Sequence, residues 1–327
     1  MTFLTGVLGL RHWDAIVDFM VWSNEFERVV KKMLDATDQY VFISSARVYA
    51  QSEDPITEET PRLLDVSTDE EYLKTNEYAL AKAREENLLL QSGCNNFTIV
   101  SPTITYNKNR LQLGVLEKEN WLYRALHGRS IVFSNDIAEK VTTMTYGDDV
   151  AKGIASLVGK YEARGGVYHI TCSQSLPWSE VLEIYLKVLE EHLGYRPCVV
   201  MTKKSTNLQF RALVYQVVYC RYFNRTFDNS KITKFCDPKT FKTPQDGLSD
   251  CLRQFLAEPK FSNIDWNLEA VNDRAAGEHT PLKDIDGLSS KLYYVAYRYH
   301  LIILMSLLKA AGFARRNIVT LCKRKAC

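Results

Sequence analysis

Residues 23–45 read SNEFERVVKKMLDATDQYVFISS, and a helix pattern stands here directly before a strand pattern. In Ser23–Leu34 the apolar residues recur at intervals of three and four, which predicts an amphipathic helix. Gln39–Ser45 is a short run rich in aromatic and β-branched residues, which is typical of a buried parallel strand. The two patterns together indicate one unit of a sheet whose strands are joined through helices.

The same alternation continues on both sides of this stretch. Trp13–Met20 has a strand pattern, Asn76–Leu90 a strong helix pattern, and Asn96–Pro102 the pattern of another buried strand. Between them lies the polar stretch Gln51–Thr75, which is long for a loop and is therefore a candidate functional segment. Strands that alternate with helices predict an α/β fold built on a doubly wound parallel sheet.

The second half of the chain is less regular and predicts a smaller α/β lobe followed by a helical extension. Its predicted elements are a helix over Leu111–Arg129, a strand over Ser130–Ser134, a helix from near Asp148, a strand over Gly165–Thr171 and a long helix from Pro177 to a cap at Gly194. Beyond Phe261 the pattern weakens. We therefore expect a first domain over residues 1–105, a substrate-binding lobe over 106–260 and a C-terminal extension over 261–327.

Composition narrows the class of protein. The 327 residues carry a net charge of +2, which argues against nucleic-acid binding because such proteins usually have a clear basic excess. The 8 cysteines are scattered without a C-x-x-C pair, so they suggest a reducing, cytoplasmic compartment and no metal site. The longest apolar run, Leu301–Leu308, is too short to span a bilayer.

Three residues suggest proton-transfer chemistry. Ser45 ends a predicted buried strand, and Tyr78 and Lys82 lie four apart on the next predicted helix, so they share one face. A nearby ammonium favours the phenolate of a tyrosine, and a serine hydroxyl can orient a substrate hydroxyl while the tyrosine exchanges its proton. The spacing alone is also what chance produces, in which case the pair is an exposed Tyr and Lys on an amphipathic helix.

The context of these residues carries a family resemblance. The segments ISSARVYAQSEDPITEETP (43–61), NEYALAKAREE (76–86) and TTMTYGDDVAKGI (142–154) occur in the order and approximate spacing of one family. They resemble the extended short-chain dehydrogenases/reductases with a Rossmann-like fold, specifically the NAD-dependent epimerase/dehydratase family that acts on nucleotide sugars. The resemblance extends over about residues 13–189.

This resemblance implies a role for each matching residue. Ser45 matches the catalytic Ser/Thr of the family, Tyr78 the proton-transferring tyrosine, and Lys82 its partner, which also contacts the cofactor ribose. Pro102 and Thr103 match the loop beside the nicotinamide. The implied activity is hydride transfer between NAD (or NADP) and a nucleotide-sugar substrate.

Three departures from the family pattern leave the substrate open. Ile104 falls where several family members carry a substrate-contacting Asn, and Ser101 replaces a common Arg. The interval between Ser45 and Tyr78 is also longer than usual, with the charged insert DVSTDEEYLK at residues 65–74.

The first residues suggest an incomplete cofactor site. Gly6 and Gly9 resemble the start of a phosphate-binding loop, but His12 replaces the third glycine and the strand-like run follows at once. This link leaves no room for the helix whose N-terminus should face the cofactor pyrophosphate. We therefore expect an N-terminally incomplete Rossmann-like domain, in a chain that is shortened or internally deleted, with weak or absent NAD binding.

Other candidates have simpler explanations. Asp148 and Asp149 fit helix capping better than a metal site. The chain's histidines share no metal-ligand spacing; they are His12, His127, His169, His192, His279 and His300. A non-catalytic protein that binds a sugar nucleotide, or that touches a membrane surface through the basic tail residues Arg315, Arg316, Lys323 and Lys325, stays open as the alternative, and so does a homodimer.

Overall fold

The structure is a computed structural model that describes residues 2–19, 21, 23–208 and 211–308. Its strands are β1 (Ile16–Asp18), β2 (Tyr40–Ile43), β3 (Phe97–Pro102), β4 (Ile104–Tyr106), β5 (Ile131–Ser134), β6 (Val141–Thr142), β7 (Met144–Tyr146), β8 (Gly166–Ile170), β9 (Leu176–Pro177) and β10 (Val199–Thr202). Its α-helices are α1 (Thr2–Leu8), α2 (Ser23–Asp35), α3 (Leu63–Val66), α4 (Glu70–Leu73), α5 (Tyr78–Leu90), α6 (Lys118–Leu126), α7 (Asn135–Ala138), α8 (Gly147–Leu157), α9 (Trp178–Leu193), α10 (Arg211–Gln216), α11 (Pro244–Ala257), α12 (Trp266–Ala276) and α13 (Leu288–Arg298).

The main sheet confirms the predicted α/β fold. It has four parallel strands in the order β1-β2-β3-β8, with Ile43 of β2 opposite Val100 of β3. Parallel strands need crossover connections, and the helix patterns found in the sequence supply them. Because the strands run in one direction, the residues that follow β2 and β3 meet at one edge of the sheet.

Helices cover both faces of this sheet, which makes it doubly wound. Along β2, Tyr40 and Phe42 pack in the same apolar cluster as Phe26 of α2 and Leu89 of α5. The residue between them, Val41, belongs to a second cluster that includes apolar residues of α8. Successive side chains of a strand point to opposite faces, so a strand buried on both sides is apolar throughout.

The smaller lobe has its own core. Three pairs of short strands contribute to it: β5 pairs with β10 and β4 with β7 in parallel, and β6 pairs with β9 in antiparallel. Trp121 of α6 and Tyr185 of α9 stack with their ring centroids 4.6 Å apart, and Trp178 is buried in the same cluster. The predicted start and end of the long helix α9 are confirmed, because Pro177 precedes it and Gly194 ends it with a φ of 76°.

The glycines at the N-terminus do not stand between a strand and a helix. Gly6 lies inside α1 and Gly9 directly follows that helix. The described sheet begins at β1, which lies at its edge. Within the described residues, the first strand and the glycine-rich turn of a dinucleotide site are therefore not present.

Two sequence predictions about secondary structure need correction. The predicted helix over Leu111–Arg129 is confined to α6, because Gly114 turns the chain with a φ of 58° and Leu113 and Leu116 exchange backbone hydrogen bonds. A side chain at Gly114 would also collide with Ile137, so the turn requires glycine there. The polar stretch 51–75 is not a plain loop, since it contains the short helices α3 and α4.

The C-terminal extension packs as helices against the lobe. Helix α12 contacts α13, where Tyr294 and Tyr297 are buried, and residues 302–308 are also helical. Among the described residues, we find no helix with the length and apolar character needed to cross a membrane. The basic tail residues named above, Arg315, Arg316, Lys323 and Lys325, lie outside the described residues.

Candidate functional site

A cavity of about 400 Å³ opens at the carboxyl ends of β2 and β3. Four of the five residues that the resemblance singles out line it, namely Ser45, Tyr78, Pro102 and Thr103. Open parallel sheets bind ligands in the crevice outside the carboxyl ends of their strands, and this cavity lies in that crevice. The sequence pattern and the fold therefore indicate the same site.

Ser45 is held at the end of β2 by the turn that follows it. Its extended backbone begins a short 3₁₀ helix, Ala46–Val48, and its Oγ accepts the backbone N–H of Arg47 at 3.2 Å. The neighbouring hydroxyl of Ser44 donates instead to the buried carboxylate of Glu86. The hydroxyl hydrogen of Ser45 is thus free to donate to a group in the cavity.

Tyr78 is the first residue of α5, and Glu77 caps that helix by accepting the backbone N–H of Ala79 at 2.8 Å. The phenol is 48% exposed, so it can reach a ligand without rearrangement of the fold. The guanidinium carbon of Arg47 lies 5.3 Å from the centre of the Tyr78 ring. A cation at this distance interacts favourably with the ring.

Lys82 does not line the cavity. Its Nζ lies 2.9 Å from Oε2 of the buried Glu85, one turn further along α5, and 4.5 Å from the ring centre of Phe42. The structure therefore brings Tyr78 and Lys82 onto one helix, as predicted, but pairs the ammonium with a carboxylate that the sequence analysis did not single out. A Lys and a Glu three residues apart on a helix is a signal that would have suggested this pair.

The loop after β3 also lines the cavity. Thr103 Oγ1 lies 2.9 Å from Thr145 Oγ1 of β7, a hydrogen bond that joins the main sheet to the smaller lobe. Ile104, where family members carry a polar residue, also lines the cavity and makes this part of its wall apolar. Ser101 is fully buried.

Four arginines that the sequence analysis did not single out also line the cavity: Arg47, Arg110, Arg221 and Arg225. Arg47 is paired with Glu77 at 2.5 Å, and Arg110 lies 3.6 Å from Glu117. A signal for the other two exists in the sequence, because residues 192–227 contain basic residues and no Asp or Glu. Arginines in such a segment must find their counter-ions elsewhere in the fold or in a ligand.

Arg221 and Arg225 are buried without a carboxylate partner among the described residues. Arg221 donates to the carbonyl of Gly114 at 3.0 Å and to the amide oxygen of Gln112 at 3.1 Å. Arg225 donates to the backbone carbonyls of Tyr49 and Ala46. Burial lowers the pKa of both guanidiniums, yet an arginine side chain stays charged in proteins. The cavity therefore holds positive charge that the described residues do not neutralise.

Cys220 lies beside these arginines on the π-helical turn Val217–Arg221, and it also lines the cavity. Arg221 Nη1 donates to its sulfur at 3.0 Å. Single π-helical turns are frequent at functional sites, because they shift side chains away from the regular helical positions.

The remaining candidates have structural roles. Asp148 and Asp149 lie in the first turn of α8, where Asp149 Oδ1 pairs with Lys152 Nζ at 2.8 Å and its Oδ2 accepts the backbone N–H of Lys242 at 2.7 Å. His169 is fully buried, with its ring Nδ1 2.9 Å from the carbonyl of Asp228. In the part of the chain that the structure describes, His, Cys, Asp and Glu form no group suited to a metal ion.

Solved structures resemble this fold over most of its length. The UDP-glucuronic acid 4-epimerase from Bacillus cereus, in complex with NAD, matches with a TM-score of 0.53 and 18% identity, covering 77% of this chain and 78% of that one. The enzyme WbmH from Bordetella bronchiseptica, in complex with NAD⁺, matches with a TM-score of 0.56 and 12% identity, covering 79% and 80%. RMD from Pseudomonas aeruginosa, complexed with NADPH, matches with a TM-score of 0.51 and 14% identity, covering 75% and 82%.

These likenesses confirm the fold class that the resemblance implied. The chain has a Rossmann-like α/β fold similar to that of a UDP-glucuronic acid 4-epimerase. No protein-family model and no curated protein sequence matches the chain. At this identity the likeness concerns the fold alone, and function has to be argued from the cavity.

Proposed function

We propose that this chain binds a nucleotide sugar in the arginine-lined cavity and acts on it in the manner of the NAD-dependent epimerases and dehydratases. One observation carries the proposal. The same cavity is lined by the hydroxyl-bearing pair Ser45 and Tyr78 and by a second pair, the buried arginines Arg221 and Arg225. A ligand that fills it would place a hydroxyl near the first pair and an anionic group near the second.

The arginines support a phosphate-bearing substrate. Buried charges in proteins are normally paired, and neither Arg221 nor Arg225 forms an ion pair with a carboxylate of the described residues. Guanidiniums suit the oxygens of a phosphate or diphosphate because their N–H groups form strong, directional hydrogen bonds with them. A nucleoside diphosphate would supply the missing negative charge and leave the sugar to reach Tyr78.

In this proposal the two hydroxyl groups divide the proton chemistry. Ser45 donates to a hydroxyl of the sugar and holds it in place, while Tyr78 exchanges the proton of that hydroxyl. The 48% exposure of Tyr78 at the cavity supports its direct contact with substrate. Lys82, as a partner of Tyr78 and of the cofactor ribose, would need its pair with Glu85 to open.

The residues present fit one end of an NAD(P) cofactor and not the other. Pro102 and Thr103 line the cavity beside Ser45, which suits the nicotinamide end. For the adenosine diphosphate end, the described residues offer no strand followed by a glycine-rich turn and helix, since Gly6 lies inside α1. We therefore propose weak NAD(P) binding and derive no step that depends on it.

A second candidate function is nucleotide-sugar binding without turnover. The observation that favours it is the engagement of Lys82 with Glu85, because the ammonium is then not available to Tyr78. The same cavity and the same arginines would serve this function. The two candidates differ only in whether the bound sugar is converted.

The proposal has three further parts: the cell compartment, a contact with a membrane surface and a homodimer. The described cysteines are free thiols, which supports a reducing, cytoplasmic compartment. Exposed apolar residues on the helical segment 302–308, including Ile302 and Ile303, support a weak contact of the C-terminal tail with a membrane surface. Co-sedimentation with anionic vesicles tests that contact, and analytical ultracentrifugation tests for a homodimer.

The test of the proposed function is calorimetric titration of the full chain with UDP-glucuronic acid and with UDP-glucose. We expect binding that is weakened about 10- to 100-fold in Arg221→Met, since a hydrogen bond to a charged group contributes about 1.5–3 kcal/mol. Arg253→Met is the matched control, because Arg253 lies on the surface, paired with the exposed Glu191, and its loss should leave affinity unchanged. Absence of binding to either nucleotide sugar would contradict both candidate functions.

Turnover separates the two candidates. Nuclear magnetic resonance of the sugar protons, with NAD added, reports conversion of the bound nucleotide sugar. Conversion that disappears in Tyr78→Phe and falls in Ser45→Ala supports catalysis. Binding with no conversion in the unchanged chain supports the non-catalytic candidate.

A further inference from the structure

We propose that Cys220 is a nucleophilic thiolate of the cavity and the residue at which small electrophiles modify this protein. The proposal goes beyond the proposed function, because it holds whether or not a nucleotide sugar is converted there. It rests on the cavity and on the arginine pair as well as on the cysteine itself. Arg225, which donates to backbone carbonyls and has no carboxylate partner among the described residues, adds a buried positive charge that indicates a ligand independently of the thiol.

The geometry places the sulfur at the cavity wall. Cys220 is 5% exposed and lines the cavity together with Arg221 and Arg225. Arg221 Nη1 donates to its Sγ at 3.0 Å. An electrophile that enters the cavity therefore meets this thiol, whereas the buried Cys172 and Cys251 do not line the cavity.

The surrounding charges favour the ionised thiol. Arg221 stands on the same turn, Arg225 on the segment that follows and Arg47 on the turn after β2, and all three are positive. Together they lower the pKa of the Cys220 thiol against the opposing effect of burial. The carboxylate of Glu117 also acts on Arg221, without a direct ion pair between them. Within the described residues, the sulfur is the titratable group that hydrogen-bonds to Arg221.

The other two buried thiols provide an internal comparison. Burial raises the pKa of Cys172, and it raises that of Cys251 to about 11. These thiols stay protonated near neutral pH and are poor nucleophiles. The difference lies in the arginines and not in the degree of burial, since Cys172 is 4% and Cys251 is 2% exposed.

The reaction with a haloacetamide illustrates the chemistry and needs no oxidant. The Cys220 thiolate attacks the methylene carbon of iodoacetamide, a carbon–sulfur bond forms, the carbon–iodine bond breaks and iodide leaves with its electron pair. The product is neutral, so the arginines lose their resident anion. An anion such as inorganic pyrophosphate should compete with the thiolate for Arg221 and obstruct the same entry.

The experiment is timed alkylation of the full chain with iodoacetamide over a range of pH, followed by peptide mass spectrometry. We expect the alkylation of Cys220 to set in at lower pH than that of Cys94 and Cys198, which are exposed references. Cys251 should remain unmodified in the folded protein. If Cys220 is not alkylated in the folded protein, or follows the pH profile of Cys94, the proposal is wrong.

Competition with inorganic pyrophosphate provides the second measurement. At about ten times its dissociation constant, pyrophosphate should slow alkylation of Cys220 about tenfold, because only about one cavity in eleven is then free. The rate at Cys94 should not change. Pyrophosphate that binds without slowing Cys220 would show that thiolate and anion do not share Arg221, and would overturn the proposed site. A failure to bind nucleotide sugars would leave the alkylation profile as expected, so the two proposals fail separately.

Discussion

Two groups of buried arginines lie in this chain, and they differ in what neutralises them. Arg124 of α6 is paired with Glu269 at 2.8 Å, Asp273 at 2.7 Å and Glu278 at 2.7 Å, so three carboxylates surround one guanidinium. Arg129 joins the same network through Glu269 at 2.5 Å. Arg221, at the cavity, is bound instead by carbonyl and amide oxygens and by a thiol.

The difference separates a structural cluster from a cluster for which we propose ligand binding. The Arg124 network links α12 and the segment after it to the smaller lobe. Its arginine pairs with carboxylates of the protein itself, without a ligand. In the cavity, Arg221 and Arg225 are fixed in position, and no carboxylate of the described residues pairs with them. A protein retains buried charge that lacks a partner where a function needs it. The comparison predicts opposite sensitivities to mutation.

The largest expected effect is on stability. Arg124→Met removes the cation and leaves buried carboxylates unpaired, so we expect the free energy of unfolding to fall by about 3–5 kcal/mol. Arg221→Met leaves carbonyl and amide acceptors without a donor but no carboxylate, so we expect a loss of about 1–3 kcal/mol. Urea unfolding of both variants measures the difference. Equal losses would contradict the comparison.

How far the sequence predicts these two clusters depends on the range of the contacts. The strands β2 and β3 and the helix α5 follow from local periodicity, and Ser45 and Tyr78 follow from a motif within that region. The contacts of the arginines are not local, since 149 residues separate Arg124 from Asp273 and 179 separate Arg225 from Ala46. Such contacts depend on the path of the whole backbone, which no short pattern records.

The difference between local and long-range contacts also explains the helix that the sequence places wrongly. The sequence pattern extends a helix over Leu111–Arg129 because its residues are compatible with one, but Gly114 turns the chain with a φ of 58°, and a side chain at that position would collide with Ile137. Arg221 then bonds to the carbonyl of Gly114. The turn at Gly114 thus comes before the start of α6 and provides an acceptor for an arginine of the cavity, and helix propensity alone predicts neither.

An intermediate effect concerns the pH dependence of the Arg124 network. Burial raises the pKa of Glu269 to about 7, so the folded state keeps a proton that the unfolded state releases near pH 4.5. The free energy of unfolding should therefore fall as pH rises from about 4.5 to about 7, by at most about 1.4 kcal/mol per pH unit from this group. Glu269→Gln removes the titration, and its stability should depend less on pH in this window.

The measurement is thermal or urea unfolding of the unchanged chain and of Glu269→Gln at several pH values. Burial lowers the pKa of His169, so its contribution to stability is lost as pH falls below about 6.5, with the opposite sign. Because His169 is present in both proteins, its contribution cancels in the difference. Parallel pH profiles of the two proteins would show that Glu269 does not titrate in this window.

The smallest expected effect tests whether Glu77 already neutralises part of the positive charge of the cavity through its ion pair with Arg47. Glu77 Oε1 pairs with Arg47, while its Oε2 accepts the backbone N–H of Ala79 as a helix cap. Glu77→Gln keeps an oxygen for the cap and removes the negative charge, so Arg47 becomes a third unneutralised cation of the cavity. We expect inorganic pyrophosphate to bind about two- to threefold more tightly, which corresponds to about 0.5 kcal/mol, and the gain to shrink at high salt.

Glu183→Gln is the matched control, because Glu183 pairs with Arg196 on the surface and away from the cavity lining, and it should leave the affinity unchanged. Affinity that is unaltered in Glu77→Gln would mean that the anion contacts Arg221 and Arg225 alone, and would confine the binding cluster to those two arginines.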